Sequence, residues 1–263
     1  MVDPTDVLAP GCLADRVALV TGGGSGIGRA TALLLARLGA QVVVMGRRAD
    51  RLKETCALAA AQGGVITWIP VDLREFDQVD AALDEVLQRH ARIDLLVNNA
   101  GGQFMAAAET VSANGFRAVT RLNLDAPWYL TTRIAARSMI PNGYGKIAFV
   151  TMTPQRGIPG MAHSSAARAA VESLTQTLAV EWGGYGVRLV AIAPGIVHTE
   201  AWEAYGLDPD AVASLMLLDR LQRPEEVAAI IAFVLSPAGD YITGTTINAD
   251  GGWNLVGPFP SGN

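Results

Sequence analysis

The sequence predicts one α/β domain in which a parallel sheet is covered by helices on both faces. The first observation is a set of short, continuous apolar runs, which are typical of strands buried on both faces of a sheet. The second is that amphipathic stretches of helical length alternate with these runs along the chain. The third is a glycine cluster directly after the first run. Together they predict a single Rossmann-type, doubly wound sheet that binds ligands beyond the carboxyl ends of its strands.

The predicted strands are the apolar runs, and the predicted helices are the stretches between them. Strands are expected over residues 17–20, 42–45, 65–71, 95–97, 147–150 and 189–193. Helices are expected over residues 28–38, 50–61, 75–89, 112–139, 165–182 and 224–235. Pro224 suits the first turn of the last helix, because the N–H that proline lacks has no partner there.

Two stretches interrupt the alternation. Residues 1–13 have no periodicity and are predicted to form an N-terminal arm, so that the domain itself covers residues 14–263. Residues 199–223 are rich in Trp, Tyr, Leu and Met, and they are predicted to form a lid over the substrate. A helical hairpin that closes the core explains the same residues equally well.

Composition restricts the class of partner. The net charge is -5, which argues against binding to nucleic acid or to an anionic membrane surface. No apolar run reaches the roughly 18 residues of a membrane span. Cys12 and Cys56 lie in different predicted elements without metal-ligand spacing. With no signal-peptide profile and no peroxisomal C-terminal signal, we expect a soluble, cytoplasmic protein that holds no metal and acts on a small molecule.

The glycine cluster has the composition of a phosphate-binding turn. Gly22, Gly26 and Gly28 allow the backbone to turn tightly and to approach a bulky anion. The free N–H groups at the start of the following helix favour a phosphate at the same place. A tight packing turn would explain the glycines alone, so the neighbouring residues have to decide between the two interpretations.

Two arginines after the second predicted strand indicate which dinucleotide is bound. Arg47 and Arg48 stand where a dinucleotide-binding fold contacts the adenosine ribose, and arginine pairs with a 2′-phosphate. An acid there would instead accept hydrogen bonds from the free ribose hydroxyls of NAD. Asp50 is the nearest acid, but we interpret it as the cap of the next helix because it lies several residues past the strand. The sequence therefore predicts NADP(H).

An ordered set of motifs resembles the short-chain dehydrogenase/reductase family over about residues 14–254. The matching segments are 21–28 (Thr-Gly-Gly-Gly-Ser-Gly-Ile-Gly), 72–73 (Asp-Leu), 98–101 (Asn-Asn-Ala-Gly), Asn123, 194–199 and 242–252. The resemblance implies a homotetramer built from the two long helices that follow Leu96 and Ile147 and from the C-terminal strand.

The resemblance also implies where the cofactor binds. Asp72 and Leu73 would flank the adenine, residues 98–101 would line the central part, and Ile196 and Thr199 would reach the nicotinamide carboxamide. The cofactor-binding residues expected on this basis and from the arginines are Thr21, Gly22, Gly26, Ile27, Gly28, Arg47, Arg48, Asp72, Leu73, Asn99, Ala100, Gly101, Arg168, Pro194, Gly195, Ile196 and Thr199.

The catalytic segment departs from the family pattern, in which Asn, Ser, Tyr and Lys act together. Asn123 is present, but Ser164 stands at the Tyr position and Arg168 at the Lys position. The usual Ser falls at Thr151 when counted back from Ser164, and at Met152 when counted forward from the start of the strand, because the loop is one residue short. Either Thr151 or the nearby Thr153 is expected to supply the hydroxyl.

This departure limits the chemistry. Reduction of an isolated carbonyl forms an alkoxide that needs an acid near the working pH, and a tyrosine beside a cation meets that need. A serine hydroxyl is a far weaker acid, and an arginine stays charged, so neither relays a proton. Hydride addition to a conjugated thioester instead forms an enolate, which hydrogen-bond donors can stabilise as an oxyanion.

Three further segments resemble one branch of the family. Residues 98–104, 163–168 and 178–182 look like peroxisomal-type trans-2-enoyl-CoA reductases, which are related to 2,4-dienoyl-CoA reductases. The active tyrosine of the dienoyl enzymes corresponds to Thr153 here, so that mechanism does not transfer. The resemblance implies an NADPH-dependent reductase of a 2-enoyl thioester, with acyl-CoA as the partner. Other enones, and terpenoid alcohols and aldehydes, are alternative substrates that the resemblance leaves open.

The expected catalytic residues are Asn123, Thr151, His163, Ser164 and Arg168. Ser164 with Thr151 would bind the substrate carbonyl, Arg168 the nicotinamide ribose, and Asn123 would hold the neighbouring helix and a water chain. Two alternatives stay open. One is a carbonyl or alcohol oxidoreductase whose acid is His163 or Tyr205 in the lid. Histidine is considered because its ordinary pKa lies near neutral pH. The other is a catalytically silent NADP-binding homologue.

Overall fold

A single parallel sheet forms the centre of the fold. The computed structural model describes residues 3–153, 158–200, 208–214 and 216–256. The strands within these residues are β1 (Val17–Thr21), β2 (Gln41–Gly46), β3 (Ile66–Pro70), β4 (Leu95–Asn98), β5 (Gly145–Val150), β6 (Val187–Pro194) and β7 (Thr245–Ala249). They lie in the order β3-β2-β1-β4-β5-β6-β7, and every neighbouring pair is parallel. The predicted doubly wound α/β class is confirmed.

Helices cover both faces of the sheet. Those in the described residues are α1 (Gly26–Arg37), α2 (Ala49–Ala61), α3 (Phe76–His90), α4 (Ala113–Thr120), α5 (Ala126–Ile134), α6 (Ala162–Trp182), α7 (Pro209–Ala213), α8 (Pro224–Leu235) and α9 (Trp253–Val256). One buried cluster joins α1, α2 and α8 to one face of the sheet, and a second joins α3, α5 and α6 to the other. None of the helices in the described ranges is both long and apolar enough to cross a membrane.

Burial on both faces explains why the strands are continuous apolar runs. In β2, Val42 and Val44 belong to the cluster beneath α1, whereas Val43 and Met45 belong to the cluster beneath α3. Neighbouring side chains in a strand point to opposite faces, so each face needs its own apolar set. All four of these side chains are almost fully buried.

Two elements differ from the sequence expectation. The apolar runs do not include β7, because this strand lies at an edge of the sheet and its residues are only half-buried or exposed. Helix α6 begins at Ala162, three residues earlier than expected, so that His163 and Ser164 lie within its first turn. Two of the expected catalytic side chains are therefore fixed by a helix.

The order of the strands creates the crevice in which the site lies. Strands β1 and β4 are neighbours in the sheet although two strands separate them in sequence. The connections on the two sides of this junction run to opposite sides of the sheet. A crevice opens at such a switch point, beyond the carboxyl ends of the strands. The turn after β1 and the loop after β4 meet there.

The stretch 199–223 is described only in part. Its two ends are joined, because the His198 N–H donates to the Gln222 carbonyl at 2.8 Å and the Gln222 N–H donates to the Ile196 carbonyl at 2.9 Å. Helix α7 lies between these ends. Residues 201–207 and 215, and with them Tyr205, lie outside the described residues, so the lid stays a prediction.

At the other end of the sheet, a buried lysine connects β5 to the end of α8. Lys146 is 1% exposed, and its ammonium group bonds to the Asp240 carboxylate and to the Ser236 carbonyl. Burial lowers the pKa of Lys146, while the hydrogen bond from Lys146 lowers the pKa of Asp240. The ammonium depends on these oxygens because an uncompensated buried charge is costly.

We expect Asp240→Ala to lower the free energy of unfolding by about 1.5 kcal/mol, because it leaves the buried ammonium with a single carbonyl partner. Lys146→Met in the same chain should recover at least half of this loss, because the buried charge is then absent. Urea denaturation of the single and double variants measures both effects. Unchanged stability of Asp240→Ala would show that the ammonium does not need the carboxylate.

Candidate active site

The turn after β1 is built to fit closely against the loop after β4. Gly22 has a φ of +67°, which favours glycine. A Cβ on Gly28 would lie 2.3 Å from the Gly22 carbonyl oxygen and 2.4 Å from Nδ2 of Asn99. Any larger residue at position 28 would push the turn away from the loop.

Hydrogen bonds from Thr21 and Asn99 connect the ends of β1 and β4. The Thr21 hydroxyl accepts from the N–H groups of Asn99 and Ala100, both at 3.0 Å, and donates to the Val97 carbonyl at 3.2 Å. The Asn99 amide donates to the Thr21 carbonyl at 2.9 Å. These bonds fix the position of the glycine turn relative to the β4 loop.

The start of α1 has the properties of a phosphate site. Ser25 precedes the helix, and its side chain forms no capping hydrogen bond with the first turn. The N–H groups of that turn are therefore available to an anion at the positive end of the helix dipole. Ile27 packs on the core beneath α1. The glycine cradle and the uncapped helix fit the diphosphate of a dinucleotide.

The residues expected to contact the adenosine part of the cofactor follow β2 and β3. Arg47 and Arg48 are exposed, with Arg48 at the N-cap of α2. Asp50 lies inside the first turn of α2 and makes no capping bond, so its interpretation as the cap is wrong. Asp72 binds the Arg74 guanidinium through both oxygens, at 2.9 and 2.6 Å, and this hydrogen bonding lowers the pKa of Asp72 to about 2. The neighbouring Leu73 is buried in the core.

The expected nicotinamide residues follow β6. Pro194 ends the strand, and a Cβ on Gly195 would lie 3.0 Å from Cα of Asp250, so the two backbones approach closely. Ile196 is half-buried in a small cluster with Val212 and Met216. Thr199 crosses above Gly26, with its methyl carbon 3.1 Å from the place where a Cβ on Gly26 would lie.

Arg168 reaches the same edge of the sheet from α6. Its guanidinium donates to the Val150 carbonyl at the end of β5 and lies against Gly101, where an added Cβ would be 2.1 Å from Nη2. Burial lowers the pKa of Arg168 to about 10, so the group stays charged at neutral pH. Among the described residues no carboxylate forms an ion pair with it. This cation is available to the oxygen atoms of a ligand.

Asn123 lies in a wider, π-helical turn, Arg121–Asp125, that links α4 to α5. It is fully buried, and its amide both accepts from the Gly102 N–H and donates to the Gly102 carbonyl, each at 3.0 Å. It also lies 3.5 Å from the Ser164 hydroxyl oxygen. A π turn inside a helix is frequent at functional sites, and here it directs an amide into the crevice.

Ser164 is the point at which several polar groups meet. Its buried hydroxyl donates to Oε1 of Gln103 at 2.8 Å, lies within 3.5 Å of the Asn123 amide, and is 3.6 Å from the Met152 sulfur. The expected catalytic residues did not include Gln103 or Met152. Gln103 lies two residues after the Asn-Asn-Ala-Gly motif, but its place beside Ser164 follows only from the contact that the fold creates.

The expected hydroxyls of the β5 loop point elsewhere. The Thr151 hydroxyl oxygen lies 3.1 Å from the Glu172 carboxylate and 3.2 Å from the Ile192 carbonyl oxygen, so its single proton is shared between these two acceptors. Thr153 donates to the Ala193 carbonyl at 3.0 Å. The described contacts thus bring Asn123 and Ser164 together but direct the Thr151 hydroxyl towards α6 and β6. Met152 occupies the position beside Ser164.

His163 is fully buried in the first turn of α6. Its Nδ1 accepts from the Ser164 N–H at 2.7 Å, and its ring lies edge-on to Phe104 with 4.3 Å between centroids. Burial lowers the pKa of His163, so the neutral form is favoured. Its Nε2 has no hydrogen-bond partner among the described residues. The ring supports Ser164 from its own helix.

Comparison with known proteins identifies relatives of this chain. Residues 22–254 match the family described as enoyl-(acyl carrier protein) reductase. The probable 2,4-dienoyl-CoA reductase of Bacillus subtilis (strain 168) is 38% identical over 251 residues, which are 93% of this chain and 98% of that protein. The chain belongs to the short-chain dehydrogenase/reductase family. It is therefore an oxidoreductase with a nicotinamide cofactor.

Other relatives of this short-chain dehydrogenase/reductase match nearly all of the chain. The peroxisomal 2,4-dienoyl-CoA reductase of Danio rerio is 34% identical over 254 residues, which cover 94% of this chain and 84% of that protein. The solved structure of a citronellol catabolism dehydrogenase from Pseudomonas aeruginosa PAO1 is 38% identical with a TM-score of 0.86, and the match covers 94% of this chain and 98% of that one. The dienoyl-CoA names support an enoyl-CoA type of reductase.

Proposed function

We propose that this chain reduces the activated carbon–carbon double bond of a 2-enoyl thioester, such as an enoyl-CoA, at the expense of NADPH. The observation that carries the proposal is the set of groups around Ser164: two amides, Asn123 and Gln103, and the thioether of Met152. No tyrosine hydroxyl contacts Ser164 among the described residues. Such a site can stabilise an oxyanion, but it lacks the phenol that protonates an alkoxide.

The proposed cofactor site runs along the carboxyl edge of the sheet. The cradle of Gly22, Gly26 and Gly28 holds the diphosphate, and Arg47 with Arg48 pairs with the 2′-phosphate of NADP. Arg168 takes the position that lysine has in the family and binds the nicotinamide ribose. Its charge at neutral pH and its place against Gly101 support this role.

Reduced nicotinamide, when bound, would supply a hydride for the β-carbon of the substrate. As that bond forms, the electron pair of the double bond moves to the thioester carbonyl oxygen and creates an enolate. Ser164 donates its hydroxyl proton in a hydrogen bond to this oxygen, and Asn123 holds Ser164 from the other side. A proton from water then completes the product at the α-carbon.

The Ser164 proton is donated to Gln103 in this structure, so a substrate carbonyl has to compete for it. Rotation of the Gln103 amide would present its NH₂ group to Ser164 instead, because oxygen and nitrogen exchange places. Ser164 would then accept from two amides and donate to the substrate. We assign to Gln103 the role of donating a hydrogen bond to the Ser164 hydroxyl, which leaves the Ser164 proton for the substrate.

The Thr151 hydroxyl is assigned a positioning role rather than a place on the carbonyl. Its bonds to Glu172 and to the Ile192 carbonyl hold the end of β5, and the next side chain, Met152, then faces Ser164. The burial of Glu172 raises the pKa of its carboxyl group, and the Thr151 hydrogen bond opposes that shift.

A homotetramer in the cytoplasm is the proposed working form. An open groove of about 420 Å³ between α5 and α6 supports self-association, since its lining includes Leu124, Trp128, Ala170 and Leu174. Trp128 is 45% exposed in the isolated chain. Large exposed apolar side chains on neighbouring helices are typical of an interface.

The test of the proposed reaction is NADPH oxidation with crotonyl-CoA, longer trans-2-enoyl-CoAs and 2,4-hexadienoyl-CoA. We expect turnover of at least one thioester, and Ser164→Ala should lower kcat by about 100-fold because an oxyanion donor is lost. Ser165→Ala is the matched control, because the Ser165 hydroxyl is buried without a hydrogen-bond partner among the described residues. The absence of turnover with every thioester, alongside turnover of a ketone or alcohol, would refute the proposal.

A carbonyl or alcohol oxidoreductase is the second candidate, favoured by the similarity to the citronellol catabolism dehydrogenase. If ketones or alcohols are turned over, His163→Phe and Tyr205→Phe should identify the acid through a changed pH profile. NADPH binding without turnover of enones, ketones or alcohols would instead indicate a catalytically silent homologue.

We expect Arg47→Ala and Arg48→Ala each to weaken NADPH binding by about ten-fold and to leave NADH binding nearly unchanged, because only NADPH carries the 2′-phosphate. Arg89→Ala, at the far end of α3, is the control. Fluorescence titration with both cofactors measures the difference. An equal loss for NADH and NADPH would show that these arginines do not recognise the phosphate.

A further inference from the structure

Four charged side chains surround the outer side of the glycine turn. Arg29 of α1 and Arg51 of α2 alternate with Glu54 of α2 and Glu200, which follows β6. Glu54 lies 2.8 Å from Arg29 and 3.2 Å from Arg51, and Glu200 lies 3.3 Å from Arg29 and 3.6 Å from Arg51. Glu200 is the member that belongs to neither helix.

The cluster is attached to the turn itself. Arg29 donates to the Gly24 carbonyl at 2.6 Å and to the Thr55 hydroxyl at 3.3 Å, and Thr55 donates to the Gly23 carbonyl at 2.9 Å. Arg29 is the least exposed member, with 15% of its side chain accessible. The arginine that Glu200 binds is therefore part of the framework of the dinucleotide turn.

Glu200 also continues a segment that crosses this turn. Thr199, its neighbour, lies above Gly26, and His198 is paired with Gln222. The backbone from residue 195 to 200 is thus held at one end by Gln222 and at the other by the two arginines. Because Thr199 fills the space beside Gly26, we expect a dinucleotide that enters or leaves the turn to displace this segment.

We propose that Glu200 is a positioning residue whose ion pairs with Arg29 and Arg51 keep Thr199 closed over the dinucleotide turn and so set the rate of cofactor exchange. The inference rests on the family's dinucleotide site and not on the proposed thioester substrate. Ion pairs that hold this segment against the turn oppose the entry of the cofactor as well as its exit. Glu200 therefore changes the rate constants of association and dissociation more than it changes Kd, which is their ratio.

The test measures cofactor association and dissociation by stopped-flow fluorescence with NADPH and NADH, without substrate. In Glu200→Gln both rate constants should rise roughly three- to ten-fold for the tighter-binding cofactor, while Kd changes less than about two-fold. Glu54→Gln is the matched control, because Glu54 binds the same two arginines from α2 without crossing the turn. Its rate constants should stay within about two-fold of the parent values.

Two outcomes would overturn the proposal. If Glu200→Gln accelerates association but slows dissociation, Glu200 acts only as a negative charge that repels the anionic cofactor. If neither rate constant changes, the ion pairs do not hold the segment. The difference in both rate constants between Glu200→Gln and the parent protein should shrink at high salt, because partly exposed ion pairs are screened. The result does not depend on whether an enoyl thioester is the substrate.

Discussion

The hydrogen-bonded junction of β1 and β4 is the constraint on which both halves of the site depend. Thr21 and Asn99 hold the two strand ends together, and Gly28 is required because the Asn99 amide fills the space of a side chain. The dinucleotide turn leaves this junction on one side. The loop that leads to Gly101 and Gln103 leaves it on the other. Cofactor and substrate groups are thus placed from a single fixed point.

The catalytic half is built by contacts between distant parts of the chain. The π turn brings Asn123 to the Gly102 backbone, which places the next residue, Gln103, against Ser164 in the first turn of α6. Arg168, one turn further along α6, lies against Gly101. These contacts place a cation, Arg168, and weakly acidic hydrogen-bond donors in one crevice. In the function that we propose, the cation binds the ribose and the donors stabilise an enolate oxygen.

The sheet could be predicted from the sequence because burial on both faces leaves continuous apolar runs, whereas β7 lacks this pattern at the sheet edge. The turn after β1 could also be predicted, because its positive φ and its close contacts require glycine at particular positions. The contacts of the β5 loop could not be predicted. Because neighbouring side chains in extended backbone face opposite ways, a shift of one residue decides whether Thr151 or Met152 faces Ser164. Counting along the sequence gives Thr151 from one side and Met152 from the other. The role of Gln103 follows only from its contact with Ser164, which the fold brings about.

The most direct measurement of the proposed chemistry is the fate of the transferred hydrogen. Reduction of an enoyl thioester with NADPH deuterated at C4 of the nicotinamide, followed by NMR of the product, locates the deuterium. Hydride addition to the conjugated system predicts deuterium at the β-carbon and a solvent proton at the α-carbon. Deuterium on the carbon of the former thioester carbonyl, with the double bond intact, would contradict the role assigned to Ser164 and its neighbours.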